Sequence, residues 1–186
     1  SIAFHCTRVR KPDRDDQKKL ARTIRHLEYT RHLPMILSWD DEGIIHGWVD
    51  ASFAVHEDMK SRTAMVMKLG LGIVYTASSI QKINTPSSSN QKLVGVSDDM
   101  PKVLWSRYFI EAQGYTVDDV IVNQDNQSTM LLANNGMDSV GKNSRHVKIK
   151  YFFVTDKIKN KELRLKYCPT DDMIGDFFTK PLQGAL

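Results

Sequence analysis

The chain is 186 residues long, 41% hydrophobic and 26% charged, with 26 Lys and Arg against 22 Asp and Glu. Such a length carries one domain with a full core plus an additional segment, and the composition excludes a disordered, fibrous or disulfide-stapled protein. It also excludes a helical bilayer span, because no apolar run approaches the length required.

The opening "SIAFHCTRVRKPDRDD" lacks the apolar stretch of a signal peptide, and a first residue of Ser rather than Met is what a fragment of a longer protein would show. Cys6 and Cys168 form no CxxC pair, which points to a reduced intracellular compartment and against both a disulfide framework and a zinc site. Basic residues crowd into "RVRKPDRDDQKKLARTIRHLEYTRH" and "GKNSRHVKIKYFFVTDKIKNKELRLKY". Two such blocks can contact a polyanion, although solvated helix faces explain them as well.

Residues 13–30 read as a helix, with Asp15 and Asp16 near its start and Leu20, Ile24 and Leu27 at helical spacing. "RHLPMILSWDDEG" reads as an extended segment closed by an acidic turn. The pattern then changes to strands in "IIHGWVDASF", "TAMVMKLG" and "GIVYTASS", the last two joined by "LGLG". Three strands with tight links imply an antiparallel meander. Helices are expected over 88–99 and 101–113, with Pro101 opening the second and Gly114 ending it. "DDVIVNQD" is a short buried strand, "NQSTMLLANNG" a helix, "HVKIKYFFVTDKI" a helix, "ELRLKYC" a strand, and "TDDMIGDFFTKPL" a helix ended by Pro181. The order β-β-β-α-α-β-α-α-β-α gives an α/β fold, a mixed sheet with helices packed on its faces. Trp48, Trp105 and Tyr108 have faces that can stack on bases, but their spacing assigns them to the core. His5, His26 and His32 are expected at the surface, and His146 is expected to be structural.

Three aspartates stand in related places: Asp50 at the end of the first strand, Asp125 at the end of the fourth, and Asp176 on the last helix. If the first and fourth strands are parallel neighbours, Asp50 and Asp125 lie side by side at their C-terminal ends, where sites in such sheets collect. Hard oxygen ligands so gathered suit magnesium or manganese. Two such ions about 4 Å apart activate a water and stabilise the leaving oxygen of a phosphodiester. Each aspartate alone is explained as well by a turn or helix cap, Asp125 as a cap for a helix beginning at Asn126.

"VDASFAVHEDMKSRT", "QDNQS", "RHVKIKYFFVTDKI" and "YCPTDDMIGDFFTKPLQGAL" resemble, in this order, the ribonuclease H region at the end of a copia-type retrotransposon Pol polyprotein. "FHCTRVRKPDRDDQKKLARTIRHLEYTRHL" resembles the segment that joins the reverse transcriptase to that region. "DNQS" alone is a weak signal, and "GDFFTKPL" at the expected place makes it specific. The resemblance covers essentially the whole chain. It implies that residues 1–40 are the C-terminal segment of the reverse transcriptase or connection region, and that 41–186 form a ribonuclease H-like domain. The implied fold is a five-stranded mixed sheet, its first three strands antiparallel, with helices on both faces. The implied activity is hydrolysis of RNA in RNA–DNA hybrids by two Mg2+ or Mn2+ ions. The implied partners are the hybrid and the reverse transcriptase portion of the same polyprotein, with no membrane, and the implied location is cytoplasmic in an element particle, or nuclear.

The family's catalytic set is Asp, Glu, Asp, Asp. By motif, Asp50, Asp125 and Asp176 take the first, third and fourth places as metal ligands. The second place belongs to a stretch resembling "SSTEAEL", which here reads "SSSNQKL", so that Asn90 and Lys92 replace both acids and Lys92 falls on the catalytic one. A protonated lysine cannot ligate a metal, and at a few ångströms it repels one. Asp98 and Asp99 lie about 9 to 10 Å further along a helix, too far to substitute, and Glu57 and Asp58 have no pattern behind them. Ala64 and Met65 replace a family glycine pair, and Lys148 an acidic position. The expectation is a ribonuclease H domain with impaired or absent cleavage, its metal weakly bound or absent. The alternatives are a hybrid-binding scaffold without catalysis and the relic of a decayed element. In the second basic block Lys142, Arg145, Lys148 and Lys150 are the residues expected to meet backbone phosphates.

Overall fold

A computed structural model of the chain describes residues 2–39, 43–52, 61–83, 85, 87–135 and 145–179. Glu57, Asp58, Lys142 and Pro181 lie outside them. Contacts divide the chain into two compact units, Ser1–Ile36 and Leu37–Leu186.

The first unit holds α1 (Ile2–Arg8) and α2 (Arg14–Thr30). An acidic pair starts α2: Asp13 accepts the Asp16 N–H at 2.8 Å, and Asp16 accepts the Asp13 N–H at 3.0 Å. This reciprocal cap satisfies two of the backbone donors that a helix start exposes. Arg8 Nε reaches Asp16 at 3.1 Å, and His5 Nε2 lies 3.2 Å from Thr23 Oγ1, so both join α1 to α2. His5 is therefore half-buried rather than a surface residue. Leu20, Ile24 and Leu27 are exposed.

The second unit is built on a five-stranded sheet of β1 (Ile44–Ser52), β2 (Arg62–Leu69), β3 (Gly72–Ile80), β4 (Asp119–Gln124) and β5 (Arg164–Tyr167), in the order β3-β2-β1-β4-β5. The first three strands pair antiparallel, while β4 pairs parallel with both β1 and β5. This is the mixed sheet that the resemblance implies. Gly70, at φ 56, makes the tight turn from β2 to β3 in a left-handed conformation that a side chain would disfavour. The helices are α3 (Ser88–Ala112), α4 (Gln127–Asn135), α5 (Arg145–Lys159) and the single turn α6 (Asp176–Thr179). The core lies between sheet and helices, around Ile45, Met65, Leu93, Val122, Tyr151 and Val154. Among the described residues no helix is long and apolar enough to cross a membrane.

Two expectations are corrected. Residues 88–112 form one helix, not two, and Pro101 lies inside it. An interior proline costs about 3 kcal/mol. Leu93, Val94, Val96 and Met100 before it, and Val103 and Leu104 after it, are all buried. Each such side chain contributes about 1.5–3 kcal/mol when removed from water, so the apolar face outweighs the proline. Trp105 and Tyr108 are not core residues: they are 64% and 47% exposed. They lie off the side of α3 that carries Val103 and Leu104 to the sheet, and Trp105 stacks on Phe109 with ring centroids 5.1 Å apart. Trp48 is half-buried and stacks on His46.

Candidate active site

The parallel pairing of β1 with β4 puts Trp48 opposite Asn123, so the next residues to emerge from the two strands on the same side are Asp50 and Asp125. β1 continues two residues past Asp50, to Ser52, whereas Asp125 follows the last residue of β4. The turn after β4 is shaped by Gln124. Its side chain is fully buried, donates through Nε2 to Val49 O at 3.1 Å, and accepts the Asp125 and Asn126 N–H groups at 3.0 and 3.2 Å. Asn126, and not Asp125, caps α4, accepting the Thr129 N–H at 3.0 Å. The Asp125 carboxylate is thereby left to face the neighbouring strand end.

Asp176 arrives from the other side. The chain after β5 makes a short turn at Thr170–Asp172, buries Met173, and then passes against β1 at Gly175. A Cβ on Gly175 would stand 3.1 Å from Asp50 Cβ and 3.3 Å from Asp50 N, so any side chain here would press on β1. α6 is held over the sheet by the Ser78 hydroxyl, which donates to Phe178 O at 2.8 Å. Thr179, also buried, donates its hydroxyl to Asp50 Oδ2. One carboxylate oxygen from each of Asp50, Asp125 and Asp176 lies within 4.8 Å of the other two.

The fourth member is Lys92. Ser87 caps α3 by accepting the Asn90 N–H at 3.2 Å, and Gln91 Nε2 donates to Ser52 O at 2.7 Å, which anchors the first turn of α3 to the end of β1. From that turn Lys92 Nζ donates to Asp125 Oδ1 and Oδ2 at 2.5 and 2.6 Å and lies 3.1 Å from Asp50 Oδ1. The side chains of Lys92, Asp50 and Asp125 are only 13%, 2% and 9% exposed. Burial alone would push the Asp50 carboxyl up, but the Thr179 hydroxyl and the Lys92 charge hold it below the usual carboxylate range. Burial likewise pushes Lys92 down, and its bond to Asp125 with the charges of Asp50 and Asp125 outweighs that, so its ammonium is held above the usual lysine range. Asn90, two residues before Lys92, is buried and accepts the Tyr151 hydroxyl at 2.5 Å, joining α3 to α5.

Three aspartate oxygens this close are the hard donor set that a divalent ion takes. An ammonium already bonded to two of the three does not fit a pair of such ions. It would have to swing out, leaving its buried position, before two cations could enter.

The other acids considered as substitutes point elsewhere. Asp99 pairs with Lys102 at 2.8 Å and Asp98 with Lys150. Of the expected phosphate-binding residues, Lys150 thus has its charge committed to α3, Lys148 is half-buried, and Arg145 begins α5. Lys148 and Lys150 are about 200° apart around the helix, so they do not form one face. Sequence reasoning missed Gln124, Gly175 and Thr179, whose roles follow only from which strand ends and turns are neighbours.

The chain is 25% identical over 174 residues, 92% of its length, to the retrovirus-related Pol polyprotein from transposon RE1 of Arabidopsis thaliana. It matches that from transposon RE2 of the same plant to the same extent. The expected kinship with transposon Pol polyproteins is thereby borne out, and the chain spans 12% of the length of these relatives. No protein-family model matches. Among solved structures, the LC11-RNase H1 complex with an RNA/DNA hybrid is similar at a TM-score of 0.47 and 13% identity, covering 72% of this chain and 92% of that one. RNase H1 from Halobacterium salinarum NRC-1 has a TM-score of 0.45 at 13% identity, over 73% and 93% of the two chains. The prototype foamy virus protease-reverse transcriptase has a TM-score of 0.48 at 13% identity, over 78% and 21%.

Proposed function

We propose that this chain is the ribonuclease H-type portion of a transposon Pol polyprotein in which cleavage is suppressed. It engages RNA–DNA hybrids but does not hydrolyse them efficiently. One observation carries this reading: the Lys92 ammonium sits between Asp50 and Asp125, at the place where the family has a catalytic glutamate. In the ancestral reaction Mg2+ or Mn2+ would supply the activated water and the stabilisation of the leaving oxygen. Here the same carboxylates have an internal counter-ion instead, so no hydrolytic step follows from the arrangement as folded.

On this reading residues 1–40 are the end of the reverse transcriptase or connection region, 41–186 are the ribonuclease H-like domain, and the polymerase portion is a covalent partner. The location implied by this reading is the cytoplasmic particle of the element, or the nucleus. The test is cleavage of a labelled RNA–DNA hybrid in magnesium and then in manganese, with Asp50→Asn as the background. The expected result is no cleavage above that background by the unaltered chain, and cleavage by Lys92→Glu. Cleavage by the unaltered chain that vanishes in Asp50→Asn would overturn the proposal, because three aspartates would then suffice beside a lysine.

A further inference from the structure

The first unit carries a surface that the acidic centre does not explain. Arg14, Lys18, Arg22 and Arg25 on α2 are all exposed and line one shallow groove with Gln17 and Ala21. At about 100° per residue they fall within about 80° of one another, a single stripe along the helix. From Arg14 to Arg25 the stripe runs about 16 Å, with successive charges about 5 to 6 Å apart.

Two neighbouring cations, Arg8 and Lys19, are paired with acids and, among the described residues, these four are not. Arg8 is bonded to Asp13 and Asp16 at 3.2 and 3.1 Å, and Lys19 to Asp15 at 2.8 Å. The acids at the start of α2 are thus spent on capping, on α1 and on Lys19. Among the described residues no carboxylate pairs with any of the four stripe cations. Tyr29, 85% exposed, continues the same side of the helix beyond Arg22 and Arg25 and offers a flat face at its end.

We propose that this stripe binds the phosphate backbone of a nucleic-acid duplex, without regard to sequence. A duplex presents a phosphate about every 3.4 Å on each strand, so a 16 Å row of unpaired cations meets several at once. An anionic membrane surface also attracts basic helices, but that mode needs the apolar and basic faces to meet one plane. Here Leu20, Ile24 and Leu27 are centred about 150° from the basic stripe, so the two faces look in nearly opposite directions. The inference stands on the first unit alone and does not rest on the reading of the acidic centre.

The experiment is fluorescence anisotropy of the full chain with a labelled RNA–DNA hybrid and with a DNA duplex of the same sequence. It is done in EDTA, so that no cleavage intervenes, across a salt titration. Two variants are compared. One replaces Arg14, Lys18, Arg22 and Arg25 by Gln, and the other makes only Arg14→Lys, Arg22→Lys and Arg25→Lys. The Gln variant, with helicity unchanged by circular dichroism, is expected to bind both duplexes at least tenfold more weakly. Its slope of log affinity against log salt should be shallower by about 3 to 4, at about 0.9 per lost phosphate contact. The Lys variant should bind within about threefold of the unaltered chain, since a point charge suffices for a phosphate. Equal affinity and slope in the Gln variant would overturn the proposal. So would the absence of duplex binding together with stripe-dependent binding to phosphatidylserine–phosphatidylcholine vesicles.

Discussion

Lys92 shows how one residue changes what a cluster of carboxylates can do. With Lys92 in place, one ammonium bridges the Asp50 and Asp125 carboxylates. Without it, two nearly buried carboxylates face each other and Asp176 within 4.8 Å. Breaking a buried pair by removing one partner costs about 3–5 kcal/mol, because the remaining charge is left uncompensated. Lys92→Met is accordingly expected to lower the unfolding free energy in urea, in EDTA at neutral pH, by about 3 kcal/mol. A loss below about 1 kcal/mol would mean that the pair is loosely held in solution. The pH dependence follows from the two directions. Asp50 is held below its unfolded value, so its contribution is present above about pH 4 and is lost as pH falls through the lower folded value. Lys92 is held above its unfolded value, so its contribution is present below about pH 10 and is lost as pH rises through the higher folded value. The stability gap between the unaltered chain and Lys92→Met should therefore be flat from about pH 5 to 9 and close on both sides. A gap that peaks at low pH would contradict the ion pair.

At the scale of elements, the site depends on two contacts that hold helices against β1. Gly175 lets the chain before α6 pass within van der Waals distance of Asp50, whose backbone cannot withdraw because it is paired in the sheet. Gly175→Val is expected to destabilise by about 1–3 kcal/mol through overpacking, and to weaken the Thr179 bond to Asp50 by lifting α6. Unchanged stability in the same urea assay would show that α6 is not docked as described. Pro101 is the opposite case, a residue tolerated against local preference. Pro101→Ala restores a backbone donor inside α3 and is expected to stabilise by about 1–2 kcal/mol, less than the full proline cost because the unfolded chain also gains freedom. A loss of stability would mean that the proline has a packing role of its own. These elements also mark what a sequence can reveal. The first three strands, the Gly70 turn and the end of α3 at Gly114 were legible because each is a local rule. The continuity of α3 was not, because a break at Pro101 is the local expectation and only the apolar residues on both sides, packed on one sheet, overrule it. The outward turn of Trp105 was hidden for the same reason: helical spacing places a residue on a helix but does not say which side meets the sheet.

For the whole molecule, the question is whether folding and metal binding are linked. The three aspartates were legible as a set because the strand order brings the ends of β1 and β4 together, and Lys92 was legible as a misfit. That the misfit closes the site with an ion pair was not legible, since it depends on the reach of a side chain from the first turn of α3. The ion pair makes the fold less dependent on a divalent ion: one ammonium offsets part of the charge of its acidic centre. In Lys92→Glu the same centre would hold four carboxylates, a state that is costly until cations arrive. Anything that binds only the folded state stabilises it by RT ln(1 + [L]/Kd), about 2.7 kcal/mol at a hundredfold excess over Kd. For a chain of this size that is about 5–10 °C in Tm. The unaltered chain is therefore expected to melt at the same temperature in EDTA and in millimolar magnesium. Lys92→Glu should melt lower than the unaltered chain in EDTA and recover by about 5–10 °C when magnesium is added. An equal upward shift in both proteins would show that Lys92 gives way to the ion, and the acidic centre would then have to be read as an open metal site.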